Sequence, residues 1–239
     1  MDVDTIERRW TNLKKHYSER ITETYIETPD WDEIHLRVRH LLLFDGPPQG
    51  SEEWLKLRND EYWATASNAM VLTTGASPFI SFQDLVYGIP PIDNDAMKYG
   101  RAHEKVAAEK YARLYKTALF GDFPLIPDPF IRHMGASPDR ITWDGINVEI
   151  KCPYTATVPL FLDEEGVRVD FPYYWHQVQF QMHVMRLDKS HLVLMDRDYR
   201  IIVVEIMKDE TWWTQAERNI RYFIDIKEQQ KMSFFETTI

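Results

Sequence analysis

GASPDRITWDGINVEIKCP, residues 135–153, is the stretch that decides how this chain is read. Trp143, Asp144 and Gly145 separate two strand-like runs, the pattern of a hairpin spanning Ser137 to Pro153. On a strand, side chains two apart share a face, so Glu149 and Lys151 point one way and Ile150 the other. The loop length sets the partner of Asp139. A two-residue Asp144-Gly145 loop pairs Asp139 with Ile150 and turns its carboxylate to the wrong face. A three-residue loop, with Gly145 supplying the left-handed position, puts Asp139 opposite Glu149, and this register is the one expected. Two carboxylates so opposed suit a hard divalent cation, which prefers oxygen ligands and leaves positions open for water and a phosphate oxygen. An ammonium beside them can hold the attacking water. A Glu-x-Lys triplet alone is weak evidence, because one arises by chance in a chain this charged.

Outward from the hairpin, a second one is expected over His191 to Met207, turning near Asp196 to Tyr199, with a helix around Tyr174 to Leu187 between the two. A final helix from about Asp209 to Gln229 has Trp212, Ala216, Ile220 and Phe223 on its apolar face. Upstream, Met97 to Leu114 reads as a helix carrying Glu104, with Asn94 and Asp95 as candidate caps. Pro78, Pro90 and Pro91 break the region before it into short elements, and a short helix starts at Glu52. Residues 1–50 read as a helical extension. Ile6, Trp10, Leu13, Tyr17, Ile21 and Tyr25 form one helical stripe, and a second helix is expected from about Asp30, with Ile34, Val38, Leu41 and Leu42 inward, ending at Gly46-Pro47-Pro48.

The 239 residues fit a single domain, with residues 51–239 as its core. No apolar run is long enough to span a bilayer and no secretory signal opens the chain, so a soluble intracellular protein is expected. Cys152 is the only cysteine, which excludes an internal disulfide and a four-cysteine iron-sulfur cluster, and it reads as a buried core thiol. A net charge of -10 argues against a broad basic DNA-binding face, leaving local spots such as Arg8 with Arg9, Lys14 with Lys15, and Arg37, Arg39 and His40.

The whole 135–153 string resembles the PD-(D/E)XK nuclease motif in the form carried by lambda exonuclease and the YqaJ-like viral recombinase nucleases. The likeness continues in the family's order. Trp54 to Arg58 followed by Thr65-Ala66-Ser67 resembles its Trp-x-x-x-Arg and Thr-Ala-Ser elements, Gly100 to Glu104 its Gly-x-x-x-Glu helix, and Tyr174 to Gln179 its Tyr-x-x-Gln-Val-Gln helix. The resemblance implies an α/β fold of the restriction-endonuclease type, a mixed sheet flanked by helices. It implies magnesium, replaceable by manganese, on Asp139, Glu149 and the carbonyl of Ile150, with Lys151 orienting the water and Glu104 joining from its helix. Gln177 and Gln179 lie about 200° apart around the helix and cannot both face the site, and the resemblance implies that Gln177 is the one beside it. Arg58 and Ser67 resemble a 5′-phosphate pocket, although nine positions separate them, two more than in the lambda-type pattern, so Asn59 to Trp63 must bulge.

The implied activity is 5′-to-3′ exonuclease action on double-stranded DNA, releasing mononucleotides and leaving a 3′ single strand for viral or phage recombination or repair. The implied partners are a homo-oligomer, a trimer as the specific expectation, and a single-strand annealing protein. The setting is the cytoplasm of a bacterial host or a compartment of a eukaryotic host cell. Two alternatives remain: an endonuclease of the same fold acting on internal or branched sites, and a non-catalytic DNA-binding protein.

Overall fold

The computed structural model describes residues 3–21, 34–89, 94–121, 123–154 and 159–236. Its larger sheet has five strands in the order β2-β5-β6-β7-β8: β2 (Leu119–Phe120), β5 (Arg140–Thr142), β6 (Asn147–Lys151), β7 (Lys189–Met195) and β8 (Ile201–Met207). The two expected hairpins are β5-β6 and β7-β8, joined by parallel pairing of β6 with β7. β5 and β6 pair Arg140 with Val148 and Ile141 with Asn147, so one further step sets Asp139 opposite Glu149. The loop holds Trp143, Asp144 and Gly145, and Gly145 has φ 95°, the left-handed value that a three-residue turn needs.

A second sheet, β1 (Ala64–Thr65), β4 (Met134–Ala136) and β3 (Ile126–Pro127), was not expected. Its strands of two or three residues are too short to show alternation.

Nine α-helices and one 3-10 turn (Ala66–Asn68) appear among the described residues, and the caps of four of the α-helices are as follows. Ser51 Oγ accepts from Trp54 N to start α3 (Glu52–Asp60), and Asn94 starts α6 (Asp95–Tyr115) in the same way. Pro172 occupies the first turn of α8 (Pro172–Met185), and Arg186 in the left-handed conformation ends it. His35, extended at ψ 128°, caps α2 (Leu36–Leu42). The second helix therefore begins at Leu36 rather than near Asp30, which lies outside the described residues, as does Tyr25. A non-helical cap at His35 stops the helix from reaching back through Ile34.

Of the rest, α1 (Val3–Ile21) precedes α2, while the short α4 (Ala69–Thr74) lies before Pro78 and the short α5 (Phe82–Tyr87) between Pro78 and Pro90. α7 (Glu164–Asp170) leads into α8, and α9 (Glu210–Glu236) closes the chain with Ala216, Ile220 and Phe223 buried.

α8 is the centre of the packing. Every residue from Gln177 to Met185 is buried, as is Trp175, so this helix has no solvent face along most of its length. Phe180 and Val184 pack toward α4, β4 and α9, whereas Val178 and Met182 pack toward β7 and β8. α6 covers the opposite face of the large sheet through Ala107, Ala108 and Tyr111 against Val148, Ile150 and Cys152. Val38, Leu41 and Leu42 of α2 join Phe120, Ile141 and Met185 in a further core cluster, against which Trp10 and Leu13 of α1 pack. Among the described residues no helix is long and apolar enough to cross a membrane.

Candidate active site

β6 has two faces with opposite chemistry. Val148, Ile150 and Cys152 are buried under α6, while Glu149 and Lys151 point toward α8. Glu149 is only 1% exposed, yet its charge is well met. Oε1 accepts from Gln177 Nε2 at 2.6 Å and lies 2.7 Å from Lys151 Nζ, and Oε2 accepts from Gln181 Nε2 at 2.7 Å. Gln181 is itself held by Asn147 Nδ2 at 3.0 Å. Two glutamines four apart on one helix face therefore grip one carboxylate.

Gln177 faces the site as the motif implied. Gln179, on the other side of α8, accepts from Asp209 N and donates to Met207 O, tying the start of α9 to β8. Gln181 was missed; its spacing of four from Gln177 was the available signal.

Asp139 lies just before β5 begins, and its Oδ2 accepts from Ile150 N at 2.8 Å, completing the strand ladder with a side chain. In an extended strand the N–H and C=O of one residue point the same way, so the Ile150 carbonyl opens toward Asp139. Burial pushes the Asp139 carboxyl well above the usual carboxylate range, the Glu149 charge adds to this, and Lys151 only partly offsets it. Desolvation alone pulls Lys151 down, but Glu149 and then Asp139 reverse this and hold it above its ordinary value. Lys151 is thus a fixed cation. Burial first, then Glu104, pushes the Cys152 thiol up to about 12, as expected of a core thiol and not of a nucleophile.

Glu104 reaches the site indirectly. Its Oε1 lies 3.0 Å from Arg140 Nη1, and the same nitrogen donates to the Asp139 carbonyl. Sequence reasoning passed over Arg140, which stands between Glu104 and Asp139. Among the described residues, no three His, Cys, Asp or Glu side chains gather to hold a metal ion. The donors present are instead Asp139 Oδ1, which accepts no hydrogen bond among the described residues, the remaining lone pair of Glu149 and the Ile150 carbonyl. Beside them Gln177 Oε1 is buried without a partner. This all-oxygen set, next to two carboxylates and one ammonium, fits a hard divalent cation with open positions.

A second cluster adjoins the first. Arg58 Nη2 donates to Thr65 Oγ1 at 3.1 Å and to Ser67 Oγ, and the guanidinium lies 5.3 Å from the Trp54 ring centre. Desolvation lowers its pKa, and no carboxylate pairs with it among the described residues. The two extra positions between Arg58 and Ser67 are absorbed at the end of α3, where Glu61 N and Tyr62 N both bond Leu57 O and Trp63 Nε1 bonds Asp60 O. Tyr173 donates to Ser67 O at 2.9 Å, and Trp54 Nε1 donates to Ser137 Oγ at 3.2 Å, so both α8 and the segment before Asp139 are pinned to this pocket.

Four of the basic residues noted near the N-terminus are engaged away from this site. Arg9 pairs with Asp45 at 3.0 Å, Arg37 bonds Met185 O, and Lys14 and Arg39 lie over the Trp10 ring.

Mixed sheet, flanking helices and the carboxylate-lysine corner together define the restriction-endonuclease-like class. Residues 53–188, more than half of the chain, match the YqaJ-like viral recombinase domain, and the protein belongs to that family. Among solved structures it is similar to an alkaline exonuclease, LHK-Exo, from Laribacter hongkongensis, at 24% identity and TM-score 0.64, covering 79% of this chain and 98% of that one. The complex of that exonuclease with dAMP matches at 25% identity with the same TM-score and coverage. A phage-related exonuclease from Haemophilus somnus 129PT shares the fold at 14% identity and TM-score 0.52, covering 79% of this chain and 91% of that one. No curated protein matches the chain by sequence.

Proposed function

We propose that this chain is a magnesium-dependent exonuclease acting on double-stranded DNA from a 5′-phosphorylated end, yielding mononucleotides and a 3′ single strand. The observation that carries the reading is the adjacency of two unlike sites: the Asp139, Glu149 and Lys151 corner, and an Arg58 guanidinium with no carboxylate partner among the described residues. One suits the bond to be cut, the other a terminal phosphate. The dAMP complex of the similar alkaline exonuclease supports a nucleoside monophosphate as the released species.

In this mechanism Asp139, Glu149 and the Ile150 carbonyl would hold magnesium, for which manganese would substitute. When bound, the ion polarises the phosphate and makes water a stronger nucleophile near neutral pH. Lys151, whose ammonium is favoured by Glu149 beside it, orients the attacking water and offsets charge on the phosphate. Gln177 and Gln181 fix the Glu149 carboxylate so that Lys151 has one position. Arg58 forks onto the terminal phosphate with the Ser67 hydroxyl beside it, selecting ends over interior bonds. Glu104 acts through Arg140 on the backbone of Asp139. Assembly as a trimeric ring around DNA would offset the weak electrostatic grip of a chain with net charge -10, and a single-strand annealing protein would take the 3′ strand.

The deciding experiment compares linear 5′-phosphorylated duplex with closed circular DNA, with magnesium or chelator. Wild type is expected to degrade only the linear form, and Lys151→Ala to lose at least about a hundredfold in rate. Cutting of the circle would establish an endonuclease, and no cutting at all a binding protein. Arg58→Ala is expected to erase the preference for 5′-phosphate over 5′-hydroxyl ends. Equal preference in wild type would reject the end pocket.

A further inference from the structure

We infer that Tyr99, His103, Tyr154, Tyr199 and Arg197 form a stacking surface for the bases of single-stranded DNA, at the sheet end that carries Lys151. The inference deepens the nuclease reading and rests on it for the choice of ligand. Tyr154 follows Lys151 by three residues and Tyr199 lies in the turn after β7, the parallel neighbour of β6, so both sit at the carboxyl ends of paired strands. Tyr99 and His103 come from α6, five residues and one residue before Glu104. α6 runs beside the strand end: a β-carbon at Gly100 would lie 3.9 Å from the Cys152 carbonyl, an ordinary contact distance.

The rings make a continuous chain. Tyr154 meets Tyr99 edge-on at 5.4 Å, Tyr99 stacks on His103 at 3.9 Å, and His103 lies 6.0 Å from Tyr199. The Arg197 guanidinium sits 4.2 Å from the Tyr154 ring centre. A Tyr and a His four apart on a helix are an ordinary pair. Recruitment of exposed rings from two further segments is not, since Tyr154 is 39% and Tyr199 46% exposed.

The surface is also held in place before any ligand arrives. His103 Nδ1 bonds the Tyr99 carbonyl at 2.8 Å, which fixes that ring. Asp196 Oδ1 accepts from the backbone N–H of Asp198 and Arg200, and its Oδ2 accepts from Arg200 Nε, bracing the turn that presents Arg197 and Tyr199. Tyr199 itself has φ 60°, a conformation that a bulky residue adopts only when its surroundings impose it.

Charge selects the occupant. A chain with net charge -10 gains little from tracking phosphates, whereas base stacking on aromatic rings does not depend on net charge and tolerates any sequence. Bases in a duplex are already stacked on each other, so the ligand that gains from these rings is an unpaired strand.

The test is binding of fluorescent oligothymidine and of an abasic oligonucleotide of equal length, by anisotropy in chelator, with the full chain. Wild type is expected to bind the oligothymidine about tenfold more tightly. The Tyr154→Ala, Tyr199→Ala pair is expected to abolish that difference, and the corresponding Phe pair to keep it. Equal binding of the two oligonucleotides by wild type, or a preference surviving in the Ala pair, overturns the surface. Should the Ala pair fail to fold, photocrosslinking of bromodeoxyuridine DNA to wild type decides: crosslinks at Tyr99, Tyr154 or Tyr199 support it, and crosslinks only elsewhere overturn it. Digestion of linear duplex measured alongside separates the two readings. Digestion without a base preference rejects the stacking surface alone, and a base preference without digestion rejects the nuclease alone.

Discussion

Asp139 illustrates how one residue serves the proposed chemistry at the expense of the fold. Its carboxyl is raised by burial and by the Glu149 charge, so in the metal-free protein it removes stability as pH climbs above its unfolded value near 4. Asp139→Asn keeps an oxygen for the Ile150 N–H and loses the repulsion. It should therefore raise the stability of the metal-free protein by about 1–2 kcal/mol while abolishing hydrolysis. Thermal melting in chelator checks the first half, and an unchanged or lower midpoint would refute it. The placement of Asp139 was legible because loop length and strand parity are both countable in residues 135–153. Arg140 was not legible, since nothing in the order of residues says that its side chain turns back to bridge Glu104 and the Asp139 carbonyl.

At the scale of elements, α8 does more than cover the sheet. Its inward face carries Gln177 and Gln181, which clamp Glu149, so helix packing and site geometry stand or fall together. Gln181→Met should leave Glu149 Oε2 and Asn147 Nδ2 short of partners and cost about 2–4 kcal/mol. Urea denaturation measures this, and a loss below about 1 kcal/mol would mean that water replaces the clamp. Periodicity was sufficient to find α6, α8 and α9 and both hairpins. It failed for the small sheet of β1, β4 and β3, whose strands carry no alternation to read, and for the start of α2, where a histidine rather than a Ser, Thr, Asp or Asn caps the helix.

For the molecule as a whole, the buried His183 and the half-buried His176, with the buried His191 shifted in the same direction, shape the response to acid. Burial lowers both His176 and His183 to about 4. His176 Nδ1 accepts from Trp212 Nε1, which can only donate, so it is held neutral where α8 meets α9. Below about 6.5 the unfolded chain takes up protons that the native state refuses. Stability is therefore full above about 6.5, falls as pH drops from there to about 4, and is level below, with at most about 3 kcal/mol from each histidine. Asp139 opposes this in the same window, so denaturation of Asp139→Asn from pH 7 to 4 reads the effect cleanly; a flat profile would refute it. The guanidinium of Arg58, which has no carboxylate partner among the described residues, has a different consequence. The resting protein keeps a dehydrated positive charge waiting for an anion, so any small oxyanion is both its preservative and its poison. Inorganic phosphate should raise the melting temperature of the wild type but not of Arg58→Ala, and should slow attack on phosphorylated ends at the same concentrations. Buffer choice then becomes a variable of the enzyme rather than of the assay: a phosphate-rich medium would yield a sturdier protein that seems nearly inert.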